Sequence, residues 1–432
     1  MSTVSSSRRG SFVDALYGPI ELGDDLLALV RTPTLQRLRH VRLSNIDSID
    51  MPSIANLSRL EHVIGVAHLA GEVGFRGGMT HYDLLAFRGA ALLHDWAITS
   101  FGHLVEEALQ YVGTRFNHEE RLREIITDAN SAEIGGVDMQ ILVGRESGLR
   151  GWARRVVGPA RAEYLLRDIM EAIRGRGRWG RTIAGDIDLD NVDNVFRMAY
   201  HLGLDVDRGV PVRIARAIVR VATDGEPVFR AGVEPDIETW RDARRQVYDH
   251  LMLAERDFVG KVMMLSATVG AYEAGEFTQA DWSYVDHEFL MLLLRSRKKE
   301  VRETAERWIA GELWECTPLR WMRGDRPGYA ELRSFSRAMG EALGRHCFAY
   351  AINDKRERRL TIAYDDGTRR TYGDDAKQWL LGIGSPKREP FGARQVERAF
   401  ALAADTFGTA ALTADGAPDP AGADGGSQGC LF

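Results

Sequence analysis

The sequence predicts a mainly α fold that ends in a small α/β module. Apolar residues recur at helical spacing through most of the region from residue 24 to residue 345. After His346 apolar and polar residues alternate, which is typical of strands. The composition, 44% hydrophobic and 27% charged over 432 residues, is that of an ordinary globular protein. A chain of this length predicts two or three domains.

The N-terminal part is expected to reach a helical core through one extended segment. Residues 1–11 are rich in Ser and Arg, and we expect them to be disordered. Residues 12–22 contain Gly18-Pro19 and are expected to be extended. Helices should follow, because apolar residues then recur every three or four positions. These residues are Leu26, Leu27, Val30, Leu35 and Leu38, and then Leu60, Val63, Val66, Ala67 and Ala70.

The middle of the chain keeps the helical pattern despite an Arg- and Gly-rich stretch. A helix is predicted over 160–173 and a loop over 175–180. Residues 286–310 are predicted to form one long helix, apolar at its start and charged towards its end.

Strands are predicted after residue 346. Residues 347–352 and 359–364 alternate, and Asp365-Asp-Gly367 favours a type I′ turn into a third strand at 368–372. The predicted division is a disordered N-terminus (1–11), a helical core (12–345), an α/β module (346–407) and a disordered tail (408–432).

Charge and cysteine content argue against several classes of protein. A net charge of −6 argues against a dedicated nucleic-acid-binding protein, which usually carries a basic excess. The sequence contains no run of about 18 apolar residues, so no membrane span is expected. The three cysteines are widely spaced and form no disulfide framework, which favours the cytoplasm. The first ten residues lack the apolar stretch of a secretion signal.

A His-Asp pair, His94-Asp95, ends the apolar run 86–93. Imidazoles and carboxylates bind divalent metals, and a water on such a metal becomes a nucleophile near neutral pH. His62 and Asp190 stand in what read as two other helices. A lone buried histidine is more often a core residue, so the set of four carries the prediction. The sequence therefore predicts a site for Mg, Mn, Fe, Co, Ni or Zn.

Six stretches of sequence carry further motifs. They are Val13–Leu22, Thr32–Arg39, Ser58–Gly71, Ala90–Asp95, Phe101-Gly-His103 with Asn117-His118-Glu119, and Asp188-Leu-Asp190 followed by Asp193, Arg197 and His201-Leu-Gly203. Together they resemble the HD-domain dNTP triphosphohydrolases, a family that includes bacterial dGTPase-like enzymes and the human SAM-and-HD-domain enzyme. The resemblance covers roughly residues 12–320.

This resemblance implies a helical HD fold whose metal is held by the four residues already singled out. It also implies a reaction, in which a metal-activated water attacks the α-phosphorus of a nucleoside triphosphate and releases nucleoside and tripolyphosphate. His103 matches the family's histidine that protonates the leaving group, and Glu106 stands where a carboxylate orients it. His118 matches a further active-site histidine, although His118 also suits a solvated helix start.

The resemblance also implies contacts with nucleotides. Arg59 matches a phosphate-binding arginine, while Arg256 and Lys261 are candidate triphosphate ligands that equally suit surface charges. Asn194 falls beside the sugar of the substrate. Residues 36–39 fall where some relatives bind an activating nucleotide between subunits, so a homo-oligomer is expected.

Two positions depart from the pattern of the family. Ile98 replaces a histidine that points at the phosphates in the family, and this change would reduce activity, alter the phosphate geometry or shift work onto His103 and His118. Asn194 and Met198 replace a tyrosine and an aspartate beside the sugar. Because a thioether is a weak acceptor, Met198 cannot hold a 3′-hydroxyl as a carboxylate does, and the sugar preference stays open.

Three functions remain open from the sequence. The first is a metal-dependent hydrolase of (deoxy)nucleoside triphosphates. The second is another HD phosphohydrolase, phosphodiesterase or di-metal oxygenase. A di-metal site needs two further histidine ligands. His103 follows His94 by only nine residues, which is too close to supply one easily and favours a single metal. The third is a nucleotide-binding regulatory protein with little or no turnover.

Overall fold

The structure is a computed structural model that describes residues 11–45, 49–127, 133–134, 137–138, 148–357, 359–373 and 377–409. Helices make up 56% of the described residues, so the predicted mainly α class is confirmed. The disorder expected over 1–11 and 408–432 lies outside the described residues, except at Ser11, which begins a strand, and at residues 408 and 409, which follow the last helix. None of the described helices is long and apolar enough to cross a membrane.

The described residues form eighteen α-helices. Their bounds are α1 Asp24–Val30, α2 Pro33–Arg37, α3 Pro52–Ala55, α4 Arg59–Glu72, α5 His81–Leu93, α6 Leu104–Tyr111, α7 His118–Thr127, α8 Gly148–Val157, α9 Pro159–Ile173, α10 Gly180–Ile183, α11 Leu189–His201, α12 Val210–Ala217, α13 Glu234–Leu253, α14 Glu255–Glu273, α15 Asp286–Leu294, α16 Lys299–Ile309, α17 Tyr329–Leu343 and α18 Ala393–Phe407.

Twelve short strands accompany the helices in the described residues. They are β1 Ser11–Asp14, β2 Gly18–Glu21, β3 Glu133–Ile134, β4 Val137–Asp138, β5 Ile218–Val221, β6 Pro227–Phe229, β7 Glu315–Cys316, β8 Arg320–Arg323, β9 Phe348–Asn353, β10 Leu360–Tyr364, β11 Arg369–Tyr372 and β12 Gln378–Ser385.

The chain divides into two compact units, one of which includes Lys355–Asp375 together with the residues up to Leu313. This first unit holds helices α1–α16, the β1–β2 hairpin and a sheet in the order β11-β10-β6-β5. The second unit holds α17, α18 and a sheet in which β12 pairs with β7, β8 and β9. The domain boundary predicted at residue 346 stays a prediction, because compact contact clusters need not fold independently.

Three helices of the first unit carry or directly precede the predicted metal ligands. Helix α4 begins where the Ser58 side chain accepts a hydrogen bond from Glu61 N, and α5 begins with a capping box between Thr80 and Asp83. Helix α11 begins where Asp188 accepts from Asn191 N at 2.6 Å. Side-chain caps satisfy amide groups that the first turn of a helix leaves free, so each helix start is well defined.

Most predicted elements are present. The extended segment 12–22 forms the β1–β2 hairpin, and the helix at 160–173 and the strands after 346 are confirmed. The single helix predicted over 286–310 was wrong, because α15 ends at Leu294 and α16 starts at Lys299. The buried Ser296 causes the break: its hydroxyl accepts from Lys298 N, and its carbonyl accepts from Arg302.

Candidate metal centre and active site

Three helices bring the four predicted metal ligands together. His62 lies near the start of α4, His94-Asp95 directly follow α5, and Asp190 lies in the first turn of α11. The Nε2 atom of His62 is 2.9 Å from Asp190 Oδ1 and 3.9 Å from Asp95 Oδ2. The Nε2 atom of His94 is 3.4 Å from Asp95 Oδ2 and 3.7 Å from Asp190 Oδ1. Each of these two carboxylate oxygens therefore lies near both imidazole nitrogens, and the donor atoms of His62, His94 and Asp190 lie within 4.8 Å of one another.

This donor set fits a divalent metal ion. Two ligands bound at about 2.1 Å and at right angles lie about 3 Å apart, close to the 2.9–3.9 Å separations seen here. The Nε2 atom of His94 is buried and has no hydrogen-bond partner among the described residues. Buried polar atoms require a partner, and an ion shared with His62 and Asp190 would supply one.

The charges at this point also suit a cation. Burial disfavours the charged imidazolium of His94, but the carboxylates of Asp95 and Asp190 outweigh it and raise the pKa of His94 well above its usual value. Burial alone would raise the pKa of Asp95, whereas the Arg59 guanidinium and His94 hold that pKa well below its usual range. Both carboxylates are therefore ionised at neutral pH and would attract a divalent cation.

Arg59, the predicted phosphate ligand, lies beside the metal ligands. Its NH1 group donates to Asp95 Oδ2 at 2.5 Å, and its NH2 group donates to the Leu43 carbonyl at 2.6 Å. The side chain of Arg59 is 5% exposed. A bound phosphate could use only those guanidinium N–H groups that do not already donate within the protein. Arg59 orients Asp95 in this structure, and its phosphate role stays a prediction.

A second cluster joins His103, Glu106 and His118. The Oε2 atom of Glu106 lies 2.8 Å from His103 Nδ1 and 3.0 Å from His118 Nδ1. The two rings lie 5.0 Å apart between centroids. Because both Nδ1 atoms contact the same carboxylate, the Nε2 atom of each ring is the one left for substrate chemistry. The structure thus brings the three predicted catalytic residues together, while their catalytic roles stay predictions.

The two histidines that share the Glu106 carboxylate have pKa values shifted in opposite directions. Burial lowers the pKa of His103, and the neighbouring His118 lowers it further, whereas the hydrogen bond that His103 donates to Glu106 raises it only in part. Burial opposes the charged form of His118 too, but Glu106 raises the pKa of that ring above its usual value. Despite burial, the two histidines lower the pKa of Glu106 to about 2. Glu106 is therefore ionised, and His118 carries a proton more readily than His103.

The turn between the two clusters has an uncommon backbone. Phe101 and Gly102 both adopt positive φ, of 53° and 67°, a region that non-glycine residues rarely occupy. The Phe101 amide donates to Asp286 Oδ1 at 2.6 Å, and Arg42 bonds the other oxygen of Asp286. A Cβ at Gly102 would lie 2.3 Å from Asn45 Oδ1. Gly102 indicates such a turn, because glycine tolerates positive φ. Nothing in the neighbouring sequence indicates that Asp286 accepts the hydrogen bond that holds the turn.

The remaining predicted substrate residues lie in different surroundings. Arg256 is half-exposed and pairs with Asp50 at 2.7 Å. Lys261 is buried and pairs with Glu107 at 2.9 Å, directly beside Glu106 in sequence. The Asn194 Oδ1 atom is buried and has no hydrogen-bond partner among the described residues. Binding of substrate by these residues stays a prediction.

The departures from the family pattern are buried in the core. Ile98 and Met198 are 0% and 3% exposed, so both act as packing residues here. In the predicted activator segment, Arg37 is buried and donates to the carbonyls of Trp96 and Ile98. Arg39 is exposed and bonds Gln36. The Arg37 guanidinium is thus occupied by main-chain carbonyls, whereas Arg39 faces solvent.

Comparisons with known proteins find partial similarity to deoxynucleoside triphosphate triphosphohydrolases. The SAMHD1 homolog of Dictyostelium discoideum is 30% identical over 213 residues, which are 46% of this chain and 38% of that protein. Human SAMHD1 is 26% identical over 209 residues, 44% of this chain and 33% of that protein. An uncharacterised protein of Methanocaldococcus jannaschii is 21% identical over 397 residues, 87% of this chain and 79% of that protein.

The matched segments span only about a third of the length of either triphosphohydrolase. No protein-family model matches the chain. The similarity indicates a hydrolase related to this group, and the His and Asp residues described above could bind a metal.

Proposed function

We propose that this protein is a metal-dependent phosphohydrolase that converts (deoxy)nucleoside triphosphates to nucleoside and tripolyphosphate. The observation that carries the proposal is the close approach of the donor atoms of His62, His94 and Asp190, with Asp95 Oδ2 3.4 Å from His94 Nε2, next to a histidine pair that shares one carboxylate. The partial similarity to deoxynucleoside triphosphate triphosphohydrolases supports the substrate class. A homo-oligomer with an activating nucleotide at its interface belongs to the same proposal.

The reaction needs water as a nucleophile and a proton for the leaving group. A divalent cation held by the four ligands would act as a Lewis acid and lower the pKa of water. Water adds to the α-phosphorus and loses a proton to solvent, while the bond from that phosphorus to the 5′ oxygen breaks. His103 gives its Nε2 proton to the departing 5′ oxygen, and Glu106 fixes the ring through Nδ1. Tripolyphosphate and nucleoside are the products.

Other residues of the chain position the phosphates and charges. Arg59 holds Asp95 and presents a cation beside the metal ligands, where the triphosphate would lie. His118 adds positive charge next to His103, because Glu106 raises its pKa. Asn194, Arg256 and Lys261 are proposed to contact the nucleotide.

The test is product analysis with purified full-length protein. Each dNTP and NTP is incubated with Mg²⁺, Mn²⁺ or Co²⁺, and nucleosides and phosphates are separated by chromatography. We expect nucleoside and tripolyphosphate in equal amounts, lost in His94→Ala and kept in His81→Ala, a histidine whose side chain is 67% exposed. Stepwise release of single phosphates would contradict the reaction. Metal binding without any turnover, even with a second nucleotide present, would favour a regulatory protein.

A further inference from the structure

A buried carboxylate lies behind the metal-facing histidine of α4. Asp193 is 0% exposed, and its Oδ1 atom lies 2.8 Å from His62 Nδ1, on the opposite side of the ring from Asp190. Asp193 faces none of the other three metal ligands at hydrogen-bond distance among the described contacts. Its one link to the metal centre therefore runs through the His62 ring.

Four hydrogen-bond donors contact the Asp193 carboxylate, two on each oxygen. Arg197 donates to both oxygens, from Nε at 2.9 Å and from NH2 at 3.0 Å. The Tyr17 hydroxyl donates to Oδ2 at 2.8 Å, and His62 Nδ1 completes the set on Oδ1. A carboxylate in a two-point ion pair with a guanidinium is an acceptor only. The hydrogen between His62 and Asp193 therefore belongs to Nδ1 of the histidine.

The N-terminal β1–β2 hairpin also contacts Arg197, the residue that pairs with Asp193. Asp14 at the end of β1 accepts from Arg197 NH1 at 2.9 Å and from the amides of Leu16 and Tyr17. The Arg197 side chain is 0% exposed and lies over the Tyr17 ring. Neither the ion pair nor the hydroxyl can rearrange without breaking buried hydrogen bonds, so the position of Asp193 is fixed by the fold.

We propose that Asp193 is a positioning residue that keeps His62 in the Nδ1–H tautomer, with the Nε2 lone pair aimed at the metal. Tyr17 and Arg197 support it, which couples the N-terminal hairpin to metal affinity. A carboxylate behind a ligating imidazole fixes the ring orientation and increases the basicity of the ligand nitrogen. The inference rests on the metal centre of the proposed function, and it does not depend on which nucleotide is hydrolysed.

The test measures metal affinity and ligand geometry without any nucleotide. Full-length protein stripped of metal is titrated with Co²⁺, and the visible absorption spectrum reports affinity and ligand field. For Asp193→Asn we expect affinity to fall 10- to 100-fold with an altered spectrum. For Tyr17→Phe, which removes one hydrogen bond to Asp193, we expect a fall of a few-fold. The control is Glu226→Gln, which weakens the ion pair between Glu226 and the half-exposed Arg369 of β11.

The unfolding temperature of each metal-free variant separates positioning from folding. If Asp193→Asn fails to fold, Tyr17→Phe carries the test, because the phenyl ring keeps its packing. Wild-type affinity and spectrum in folded Tyr17→Phe and Asp193→Asn would overturn the inference. Wild-type protein that binds no Co²⁺ would overturn it together with the metal centre. Wild-type protein that binds Co²⁺ but hydrolyses no nucleotide would contradict only the proposed reaction.

Discussion

The NH2 group of Arg37 donates to the carbonyl oxygen of Ile98 at 2.5 Å. The same guanidinium also donates to the carbonyls of Trp96, Ser283 and Tyr284. Arg37 thereby ties the turn after His94-Asp95 to the segment that precedes α15. The turn ends at His103, so this buried arginine sets the path of the chain between the two candidate clusters.

Replacement of Arg37 should destabilise the fold strongly. Arg37→Ala leaves buried carbonyls unsatisfied, at a cost of about 1–3 kcal/mol for each group that water cannot reach. We expect the free energy of unfolding, measured by urea denaturation, to fall by about 3 kcal/mol. Arg39→Ala removes an exposed arginine of the same segment and should change the free energy of unfolding by less than about 0.5 kcal/mol. Equal effects of the two variants would contradict the structural role of Arg37.

A methyl group at Gly65 should disturb the carboxylate behind His62. A Cβ there would lie 2.1 Å from Asp193 Oδ2 and 2.3 Å from Arg197 NH2. Gly65→Ala should therefore lower the free energy of unfolding by about 1–3 kcal/mol, as overpacking does, and should weaken Co²⁺ binding. Gly77→Ala is the control, since a Cβ at Gly77 meets no atom within 4 Å. A stabilised Gly65→Ala variant, as helix propensity alone predicts, would contradict the close packing.

The sequence predicted the centre of the site better than its surroundings. His62, His94 and Asp190 stand out because metal-binding residue types interrupt apolar helices, and the structure places their donor atoms within 4.8 Å of one another. Asp193 appeared in the sequence only as part of the stretch that resembles the family, with no role of its own, and Asp286 carried no signal. Their importance depends on which helices pack together, and hydrophobic periodicity does not encode that pairing.

The same distinction applies to the fold. Helical periodicity and the Asp365-Asp-Gly367 turn predicted the class and the β10–β11 hairpin. The short strands β5 and β6 were not predicted, because three or four residues are too few to show alternation. The break at Ser296 was missed because a single polar residue is ordinary within a charged helix face.

The Glu106 carboxylate should make stability depend on pH below neutrality. Its pKa is lowered to about 2 by the two histidines despite burial, against about 4.3 in an unfolded chain. The stabilisation is present above pH 4.3 and is lost as the pH falls through 2, and it amounts to about 3 kcal/mol at most. Urea denaturation of wild type and Glu106→Gln should therefore converge as the pH falls from 5 to 2. The exposed Glu120→Gln variant should follow wild type throughout.

The pH dependence of turnover should reveal the coupling between His103 and His118. A general acid works only while protonated, so kcat should fall as the pH rises through the pKa of His103, which burial and His118 place below 6.5. His118→Gln removes a neighbouring positive charge and should move this decline to higher pH. Glu106→Gln removes the hydrogen bond that favours the charged form of His103 and should move the decline in kcat to lower pH. The measurement is kcat against pH with saturating metal and nucleotide. Shifts in the same direction for both variants would contradict a proton donated by His103 under the opposing influences of Glu106 and His118.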